Sequence, residues 1–497
     1  MKRHFSKKIA ASVTVGLLLV ANSMTSHADA LYASEKVSPQ LKQLHISDAW
    51  AQGIAGQKVK IGVIDTGINK NSGFLPNVKT RLTVTKDVLR TKWNEGDIFD
   101  RVENGHGTGV AGIINAKPLT KNLFPYTMIS VAPQAILTSY KYKDGTQAGE
   151  VEYLVKAIQQ AIKNKEQIIT ISSGLYEDIP ALHRVIKQAV EQNIVVIASV
   201  GNDGKKKITY PARYKEVIAV SSVNKKQKIS NFANRGVGVD FVAPGEDIVT
   251  LSSTGDFWDA YGTSFSTPYI TGMVALLKQQ YPYIAPTTIK SKLRGLSKDL
   301  GVNGYDQTYG YGMPIYSYKA DKKSTAVSAI HLQNIEDHRV TLTFDRTATD
   351  TWKTLYVNVN GKKIYRTSDN SLTIPNLTAN KKQKIEVRAL NTQGVSATPQ
   401  TLSFTTLKDV TPPNPAKNIR VKVATNQRAL VQWEVEGTPD YAYAKVYLNG
   451  IYVGKSTTTS FTTKVLKKAK NYKASVILYD TTGHASKKSY ASTVKIN

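Results

Sequence analysis

Hydrophobic residues between positions 40 and 320 follow two alternating patterns. Short, continuous apolar runs predict buried strands at 58–64, 135–142, 167–171, 194–199 and 217–221. Between them, apolar residues three and four positions apart predict helices at 109–115, 152–163, 180–192 and 263–280. Strands that alternate with helices form parallel sheets with helices packed on their faces. We therefore predict a three-layer α/β domain over residues 31–320.

The pattern changes near residue 320, where helical spacing ends. Short alternating segments, such as 340–344, 354–359 and 385–390, then predict half-buried strands. A polar linker precedes these strands, and the proline-rich stretch 411–415 divides them. The tail is therefore predicted to form two all-β sandwich domains, 324–407 and 412–497.

An internal repeat supports this division of the tail. Phe344 corresponds to Trp433, and the Asn360-Gly361 pair corresponds to Asn449-Gly450, each 89 residues later. An Asn-Gly pair between alternating runs is the strongest short hairpin signal, because both turn residues take positive φ. Leu377 with Leu466 and Gly394 with Gly483 continue the same register.

The first 30 residues have the pattern of an export signal. Lys2, Arg3, Lys7 and Lys8 precede a short apolar run, and small residues around Ala28-Asp29-Ala30 offer a cleavage site. A membrane anchor is the alternative, although the run is short for spanning a bilayer. We expect residues 1–30 to be a signal peptide and the exported chain to begin near Leu31, with no transmembrane segment after cleavage.

Composition adds two constraints. The absence of cysteine excludes disulfides, zinc–thiolate sites and thiol nucleophiles. The net charge of +29, about half of it after residue 320, favours anionic surfaces such as phosphate-rich cell-wall polymers. No nucleic-acid-binding motif accompanies this charge.

Three short strings carry candidate chemistry. Asp65 ends an apolar run in Val-Ile-Asp-Thr-Gly, His106 lies in Gly-His-Gly-Thr-Gly, and Ser264 lies in Gly-Thr-Ser-Phe-Ser-Thr-Pro. A serine hydroxyl needs a general base, and the base needs an orienting acid. Among eight histidines, only His106 lies between glycines ahead of a helical stretch. Asp-Thr-Gly also occurs in aspartic proteases, but these need two such carboxylates, and no second copy is present.

Acyl transfer also requires donors for the developing oxyanion. Asn202 follows the apolar run 194–199, so its amide could reach a cleft at the end of that strand. An ordinary Asn-Gly turn is the alternative for this string. The backbone N–H of Ser264, near the predicted start of a helix, is a candidate second donor.

Together these strings resemble the subtilisin-like serine proteases, or subtilases, over residues 40–316. Val-Ala-Pro-Gly and Tyr-Pro-Ala-Arg-Tyr add to the resemblance. It implies a subtilisin-like fold with Asp65 as orienting acid, His106 as general base and acid, Ser264 as nucleophile, and Asn202 in the oxyanion hole. It also implies that substrate binds along Ser172-Ser173-Gly174 and 146–150, with Asp203 and Thr209 beside the specificity pocket.

Departures from the family pattern change three expectations. Gly109 stands where a second histidine is common, outside the triad. Residues 115–130 do not resemble the usual calcium loop, so structural calcium is possible without a recognisable site; no cofactor or catalytic metal is expected. Little sequence lies between the predicted signal and the catalytic domain, so we expect no prodomain of the usual size.

The two tail domains resemble fibronectin type III domains. Trp433 lies on an early predicted strand, and Tyr472 is a candidate for the corner tyrosine of the second domain. Gln383 takes the corresponding place in the first domain. The resemblance concerns the fold only, and the tail is equally consistent with a spacer and with a binder of wall polymer.

Three functions remain open from the sequence. The leading one is a secreted or wall-associated serine endopeptidase that cleaves proteins or peptides through an acyl-enzyme. The others are a catalytically dead subtilase scaffold that binds the cell envelope, and a serine esterase. Asp203 favours a basic residue before the scissile bond, whereas Lys205, Lys206 and Lys207 oppose it.

Overall fold

The protein is described by a computed structural model that divides the chain into two units, Met1–Ala320 and Asp321–Asn497. The predicted signal peptide, residues 1–30, lies outside the described residues. The described residues are 36–69, 74–83, 100, 104–119, 124–143, 151–318, 322–361, 363–424, 427–438, 440–467 and 470–495.

Seven parallel strands form the sheet of the first unit, among the residues described there. Their order is β2-β3-β1-β4-β5-β6-β7, and every neighbouring pair runs parallel. The strands are β1 (Lys60–Asp65), β2 (Val78–Thr83), β3 (Ile136–Lys141), β4 (Ile168–Ile171), β5 (Val195–Ser199), β6 (Ile218–Val223) and β7 (Phe241–Pro244). Two small antiparallel pairs complete the unit, β8 (Ile248–Leu251) with β9 (Phe257–Ala260) and β10 (Ser297–Lys298) with β11 (Met313–Pro314).

Seven helices accompany these strands among the residues described in this unit, and three of them lie between consecutive strands from β2 to β5. They are α1 (Pro39–Gln43), α2 (Ile46–Trp50), α3 (His106–Asn115), α4 (Val151–Lys163), α5 (Pro180–Glu191), α6 (Thr263–Gln280) and α7 (Pro286–Leu296). The predicted parallel α/β architecture is confirmed. Strands β2 and β7 were missed. The sequence of β2, VKTRLT, mixes charged and apolar residues, and β7, FVAP, has only four residues; both lie at the edges of the sheet.

Successive residues of each strand face different helices, because side chains alternate across a sheet. Ile169 and Ile171 pack in one apolar cluster with α4 and α5. Thr170 between them faces the other way and accepts a hydrogen bond from the Thr271 hydroxyl of α6 at 3.0 Å. Helices therefore cover both faces of the sheet, as the prediction of three layers requires.

Strand β1 lies at the point where the chain changes direction across the sheet. The chain first adds β2 and β3 on one side of β1, and then β4 to β7 on the other. Open parallel sheets bind ligands at such a switch point, beyond the carboxyl ends of the strands. Asp65 is the last residue of β1 and lies at this edge.

The second unit consists of antiparallel sheets that repeat in the same order, which confirms the predicted all-β architecture. Sheets β12-β13-β16 and β15-β14-β17-β18 come first, and β19-β20-β23 and β22-β21-β24-β25 follow. The bounds are β12 (Ile330–Gln333), β13 (Val340–Phe344), β14 (Trp352–Val359), β15 (Lys363–Thr367), β16 (Ser371–Ile374), β17 (Lys382–Asn391), β18 (Gln400–Thr405), β19 (Lys417–Ala424), β20 (Arg428–Glu434), β21 (Tyr441–Leu448), β22 (Ile451–Ser456), β23 (Ser460–Thr462), β24 (Asn471–Asp480) and β25 (Ser489–Lys495).

Corresponding turns of the two repeats have the same backbone conformation. Asn360 and Gly361 have φ of 54° and 69°, and Asn449 and Gly450 have φ of 48° and 83°. Each pair joins two antiparallel strands, β14 to β15 and β21 to β22. The hairpins predicted from the Asn-Gly pairs are therefore confirmed.

Each repeat encloses an apolar core contributed by both of its sheets. Val340 and Val357 lie in the first core, and Val431 and Val476 lie in the second. No helix among the described residues is long and apolar enough to cross a membrane.

Gly272 of α6 provides a test of this packing. An added Cβ would lie 2.4 Å from Val131 Cβ, so we expect Gly272→Ala to destabilise the first unit by about 1–3 kcal/mol through overpacking. Gly295 of α7 has no atom within 4 Å of its Cβ position, so Gly295→Ala should stabilise by up to about 1 kcal/mol. Calorimetric melting of both variants measures the difference; equal shifts would contradict the predicted close contact.

Candidate active site

Asp65 and His106 form a buried pair at the end of β1 and the start of α3. His106 Nδ1 lies 2.7 Å from Asp65 Oδ1, which also accepts the Thr66 N–H at 2.7 Å. The Asp65 side chain is 2% exposed and that of His106 is 16% exposed. A hydrogen bond from Nδ1–H to a carboxylate fixes the imidazole tautomer and leaves Nε2 as the basic nitrogen.

Two glycines allow this approach in different ways. Gly105 has a φ of 76° and is the N-cap residue of α3. Gly107 has no left-handed φ; its role is a close contact, because an added Cβ would lie 2.2 Å from the Gly67 carbonyl oxygen. The His106 string is therefore packed directly against the turn that follows Asp65.

The charges around Asp65 keep it ionised. Burial by itself would raise the pKa of the Asp65 carboxyl, but His106 and Lys143 outweigh this effect and hold that pKa below its usual range. Burial lowers the pKa of the Lys143 ammonium, although Asp65 and Asp100 oppose that change. An ionised Asp65 can stabilise the imidazolium that forms when His106 takes a proton.

Asp100, which the sequence reasoning missed, joins the Asp65 turn to helix α3. Its Oδ1 accepts the Thr66 hydroxyl at 2.8 Å, and its Oδ2 accepts the Thr108 N–H at 2.9 Å. Thr66 Oγ1 in turn accepts the Gly107 N–H at 3.0 Å. Burial raises the pKa of Asp100, and hydrogen bonds from Thr108 and Thr66 counteract that rise.

Ser264 lies in the first turn of α6, against the end of β4. Pro268 has no N–H, so the Ser264 carbonyl oxygen lacks its usual helical donor four residues later. The Ser172 hydroxyl donates to that oxygen at 3.0 Å, and the Ser264 hydroxyl donates to the Ser172 carbonyl oxygen at 3.0 Å. Among the described residues, Ser264 Oγ makes no hydrogen bond to His106.

Asn202 follows β5 and has its amide oriented by Thr263. Asn202 Oδ1 accepts the Thr263 N–H at 2.9 Å and the Thr263 hydroxyl at 2.8 Å. Two donors on one atom identify that atom as the oxygen, so Nδ2 is the donor atom of the amide. Asn202 and Ser264 line the same cleft.

The cleft has a volume of about 450 Å³ and collects the predicted substrate-binding residues. They are Ser172, Ser173, Gly174, Asp203 and Thr209, together with His106, Asn202 and Ser264. Asp65 lies behind His106. The structure therefore brings together the nine individual site residues named from the sequence, apart from the stretch 146–150.

Gly174 and Thr209 form the tightest part of the cleft wall. An added Cβ on Gly174 would lie 2.3 Å from Thr209 Oγ1, so any larger residue would displace this wall. Asp203, an exposed residue of the cleft, accepts a hydrogen bond from the Tyr176 hydroxyl. The Lys205 ammonium lies 4.2 Å from the centre of the Tyr176 ring, which places a cation close to that carboxylate.

An aromatic wall beside His106 had no clear signal in the sequence. Phe265 lies 5.3 Å from the His106 ring, and Trp258 meets Phe265 edge-on at 5.4 Å. Tyr261 and Lys143 complete this side of the cleft. Phe265 follows the candidate nucleophile directly, whereas Trp258 and Tyr261 come from β9 and its exit, which no periodic pattern marked.

Two predictions fall partly or wholly outside the described residues. The substrate-flanking stretch 146–150 lies outside them. In the stretch 115–130, which replaces the usual calcium loop, residues 120–123 also lie outside them.

Comparison with known proteins identifies relatives of the first unit. The profile of the Subtilase family matches residues 56–312. The chain is 33% identical to the minor extracellular protease Epr of Bacillus subtilis (strain 168) over 290 residues, 58% of this chain and 42% of Epr. It is 30% identical to subtilisin DY of Bacillus licheniformis over 267 residues, 53% of this chain and 91% of that protein.

An intracellular relative is also similar. The major intracellular serine protease of Bacillus subtilis (strain 168) is 32% identical over 244 residues, 48% of this chain and 74% of that protein. Relatives named for both compartments are therefore similar to this chain in sequence. The match to Epr spans less than half of Epr. Because the family profile covers more than half of the chain, the chain belongs to the subtilase family of serine proteases.

Proposed function

We propose that the chain is an exported serine endopeptidase that cleaves peptide bonds through an acyl-enzyme. Its triad is Asp65, His106 and Ser264. The observation that carries the proposal is the 2.7 Å contact between Asp65 Oδ1 and His106 Nδ1 in the cleft that contains Ser264. Proteins or peptides are the substrates that membership of this protease family implies.

The proposed reaction begins when Ser264 Oγ leaves the Ser172 carbonyl oxygen and turns toward His106 Nε2. Catalytic hydrogen bonds often tighten only when substrate is bound, so the resting contact is compatible with this step. His106 then takes the hydroxyl proton while Oγ attacks the peptide carbonyl carbon. His106 returns the proton to the leaving amine, and water hydrolyses the resulting ester by the same route.

Asn202 is the proposed side-chain donor to the oxyanion. Because Thr263 holds Oδ1, Nδ2 needs no reorientation when negative charge develops on the substrate. The backbone N–H of Ser264, in the first turn of α6, is the proposed second donor. No metal is required by this chemistry, and structural calcium remains possible at a site that the sequence does not identify.

Substrate is proposed to lie along Ser172, Ser173 and Gly174, with Asp203 and Thr209 beside the residue before the scissile bond. The Tyr176 hydroxyl already uses one oxygen of Asp203, and Lys205 lies nearby. These contacts reduce the attraction of Asp203 for a cationic side chain. We propose a pocket that accepts large residues and prefers basic ones only weakly.

We propose that residues 1–30 direct export and that the catalytic domain comprises residues 31–320. Support comes from the charged, apolar and small segments of the N-terminus and from the extracellular relative Epr. The tail, 324–407 and 412–497, is proposed to be two fibronectin type III-like domains. In the second, the Tyr472 hydroxyl accepts the Lys467 N–H at 3.1 Å, as a corner tyrosine bonds to upstream backbone.

In the first tail domain Gln383 replaces the corner tyrosine and bonds to the corresponding backbone residue, but as a donor and not as an acceptor. Its Nε2 donates to the Thr378 carbonyl oxygen at 3.0 Å. Thr378 lies five residues before Gln383, and Lys467 lies five residues before Tyr472. A side-chain bond to the same backbone position supports one shared fold for both domains. The basic tail is proposed to retain the protein on anionic wall polymers.

Replacing Ser264 distinguishes an active enzyme from a dead scaffold. We expect a fluorophosphonate probe to label the wild-type chain and not Ser264→Ala, because only a serine activated by His106 attacks the probe. Ser266→Ala is the matched control: Ser266 is a buried serine on the same helix, and its variant should keep the label. A folded wild-type chain that resists the probe would favour the dead scaffold.

The same pair of variants distinguishes a peptidase from an esterase. Wild-type protein and Ser266→Ala should digest casein, and Ser264→Ala should not. Hydrolysis of small esters without any digestion of casein would instead favour the esterase.

Asn202→Asp tests the oxyanion donor. The variant keeps an acceptor for Thr263 but replaces the Nδ2 donor with an anionic oxygen, so we expect kcat to fall at least about 10²–10³-fold with little change in KM. Steady-state kinetics on a peptide substrate measure both constants. Asn231→Asp places the same charge on an exposed residue outside the cleft and should retain activity; an equal loss in both variants would show a general effect of charge.

Cell fractionation tests export and wall retention together. In a Gram-positive host, the chain should be recovered from the wall fraction with Leu31 as its first residue, and salt should release it because ionic attraction is screened. A chain ending at residue 320 should bind less strongly. Equal retention of both chains would exclude the tail as the anchor, and recovery of an unprocessed chain inside the cell would contradict export.

A further inference from the structure

In the second unit, several aspartates and histidines that are far apart in the sequence lie close together in the fold. Asp409 lies in the connection between β18 and β19, Asp480 ends β24, and His484 follows in the next turn. One ligand atom from each of these three residues lies within 4.8 Å of the other two. Asp409 and Asp480 are each 2% exposed. Two carboxylates are therefore held together away from water.

The hydrogen bonds of Asp480 are divided unevenly between its oxygens. Oδ1 accepts the Thr482 N–H at 2.9 Å, the Thr482 hydroxyl at 2.8 Å and the His484 N–H at 2.9 Å. Oδ2 is buried and has no hydrogen-bond partner among the residues described in the second unit, and it lies 3.2 Å from His484 Nδ1. A buried carboxylate oxygen without a donor is costly unless a cation compensates it.

The donors around Asp409 do not provide a hydrogen bond to Asp480 Oδ2. The Thr482 hydroxyl lies 2.9 Å from Asp409 Oδ2 and 2.8 Å from Asp480 Oδ1, but its single proton can serve only one of them. His338 Nε2 is 3.8 Å from Asp409 Oδ2 and closer, 3.4 Å, to Asp440. His338 is thus directed at Asp440 and leaves Asp480 uncompensated.

Two spacings among the three proposed ligand atoms match one small metal ion. Ligand atoms 2.0–2.1 Å from a tetrahedral zinc ion lie about 3.3 Å apart. His484 Nδ1 is 3.2 Å from Asp480 Oδ2 and 3.7 Å from Asp409 Oδ2. His484 Nδ1 also lies 2.9 Å from the Thr482 hydroxyl, and a bound ion replaces that contact. The His484 side chain is 36% exposed, which provides a path for an ion to enter.

The first tail repeat shows that the turn does not need this chemistry. Asn391 corresponds to Asp480, and its Oδ1 accepts the N–H groups of Gln393 and Val395 at 2.9 and 3.0 Å. Its Nδ2 donates to the Lys322 carbonyl oxygen at 3.0 Å. At this position the first repeat has a neutral amide whose oxygen and nitrogen both form hydrogen bonds. The second repeat has a carboxylate there.

We propose that Asp409 Oδ2, Asp480 Oδ2 and His484 Nδ1 bind one Zn²⁺ ion, with water as the fourth ligand. Two carboxylates and an imidazole suit zinc, whereas calcium takes six to eight oxygen ligands. The ion ties the connection containing Asp409 to the turn after β24. The site is separate from the triad, and its role is to stabilise the tail.

Metal analysis of the untagged full-length chain tests the site, with Ser264→Ala present to prevent self-digestion. After incubation with ZnCl₂ and gel filtration, we expect one zinc per chain and a raised melting temperature of the tail. Asp480→Asn should retain no zinc; because Asn391 forms the same turn, this variant should fold and melt like the metal-free parent.

Asp345→Asn is the matched control, because Asp345 forms an exposed pair with His331 at 3.1 Å in the first repeat. It should retain one zinc per chain. Absence of zinc from the parent, equal zinc in the parent and Asp480→Asn, or displacement of zinc by equimolar CaCl₂ would overturn the proposal. So would a tail that zinc does not stabilise but mild acid does, since protonated histidines would then hold the carboxylates.

Discussion

The cleft depends on one close contact, between the end of β4 and the first turn of α6. Pro268 leaves the Ser264 carbonyl oxygen without a helical donor, and an unsatisfied buried carbonyl costs about 1–3 kcal/mol. Ser172 supplies the missing donor and receives the Ser264 hydroxyl in return. The same proline that interrupts the helical ladder therefore fastens the candidate nucleophile to the strand that substrate is proposed to follow.

The other glycine-containing strings also hold the site together through close contacts, more than through backbone flexibility. Gly107 meets the Gly67 carbonyl oxygen, and Gly174 meets Thr209, at distances that no Cβ could occupy. Each contact joins two segments that carry site residues. The Gly107 contact lies beside Asp65, and the Gly174 contact lies beside the substrate cleft. The motifs are thus recognisable in the sequence because glycine is required where two backbone segments are in close contact.

This explains which parts of the site the sequence could predict. Asp65, His106 and Ser264 each lie at an end of a regular element, where apolar periodicity stops and a glycine follows or precedes. Asp100 has no such position: it stands in a polar stretch without periodicity, and only the tertiary fold brings it to Thr66 and Thr108. Lys143 likewise follows β3, but nothing local indicates that its charge faces Asp65.

The two tail repeats show which side-chain atoms the shared turn requires and which it does not. The turns after β17 and β24 share the Asx oxygen and a glycine of positive φ, at Gly394 and Gly483, and the glycines were visible in the sequence as part of the repeat. What differs is the second side-chain atom, a nitrogen that donates in Asn391 and an unpartnered oxygen in Asp480. Exchanging a satisfied amide for a buried anion weakens a domain unless a cation compensates the charge, which is the role proposed for the zinc ion.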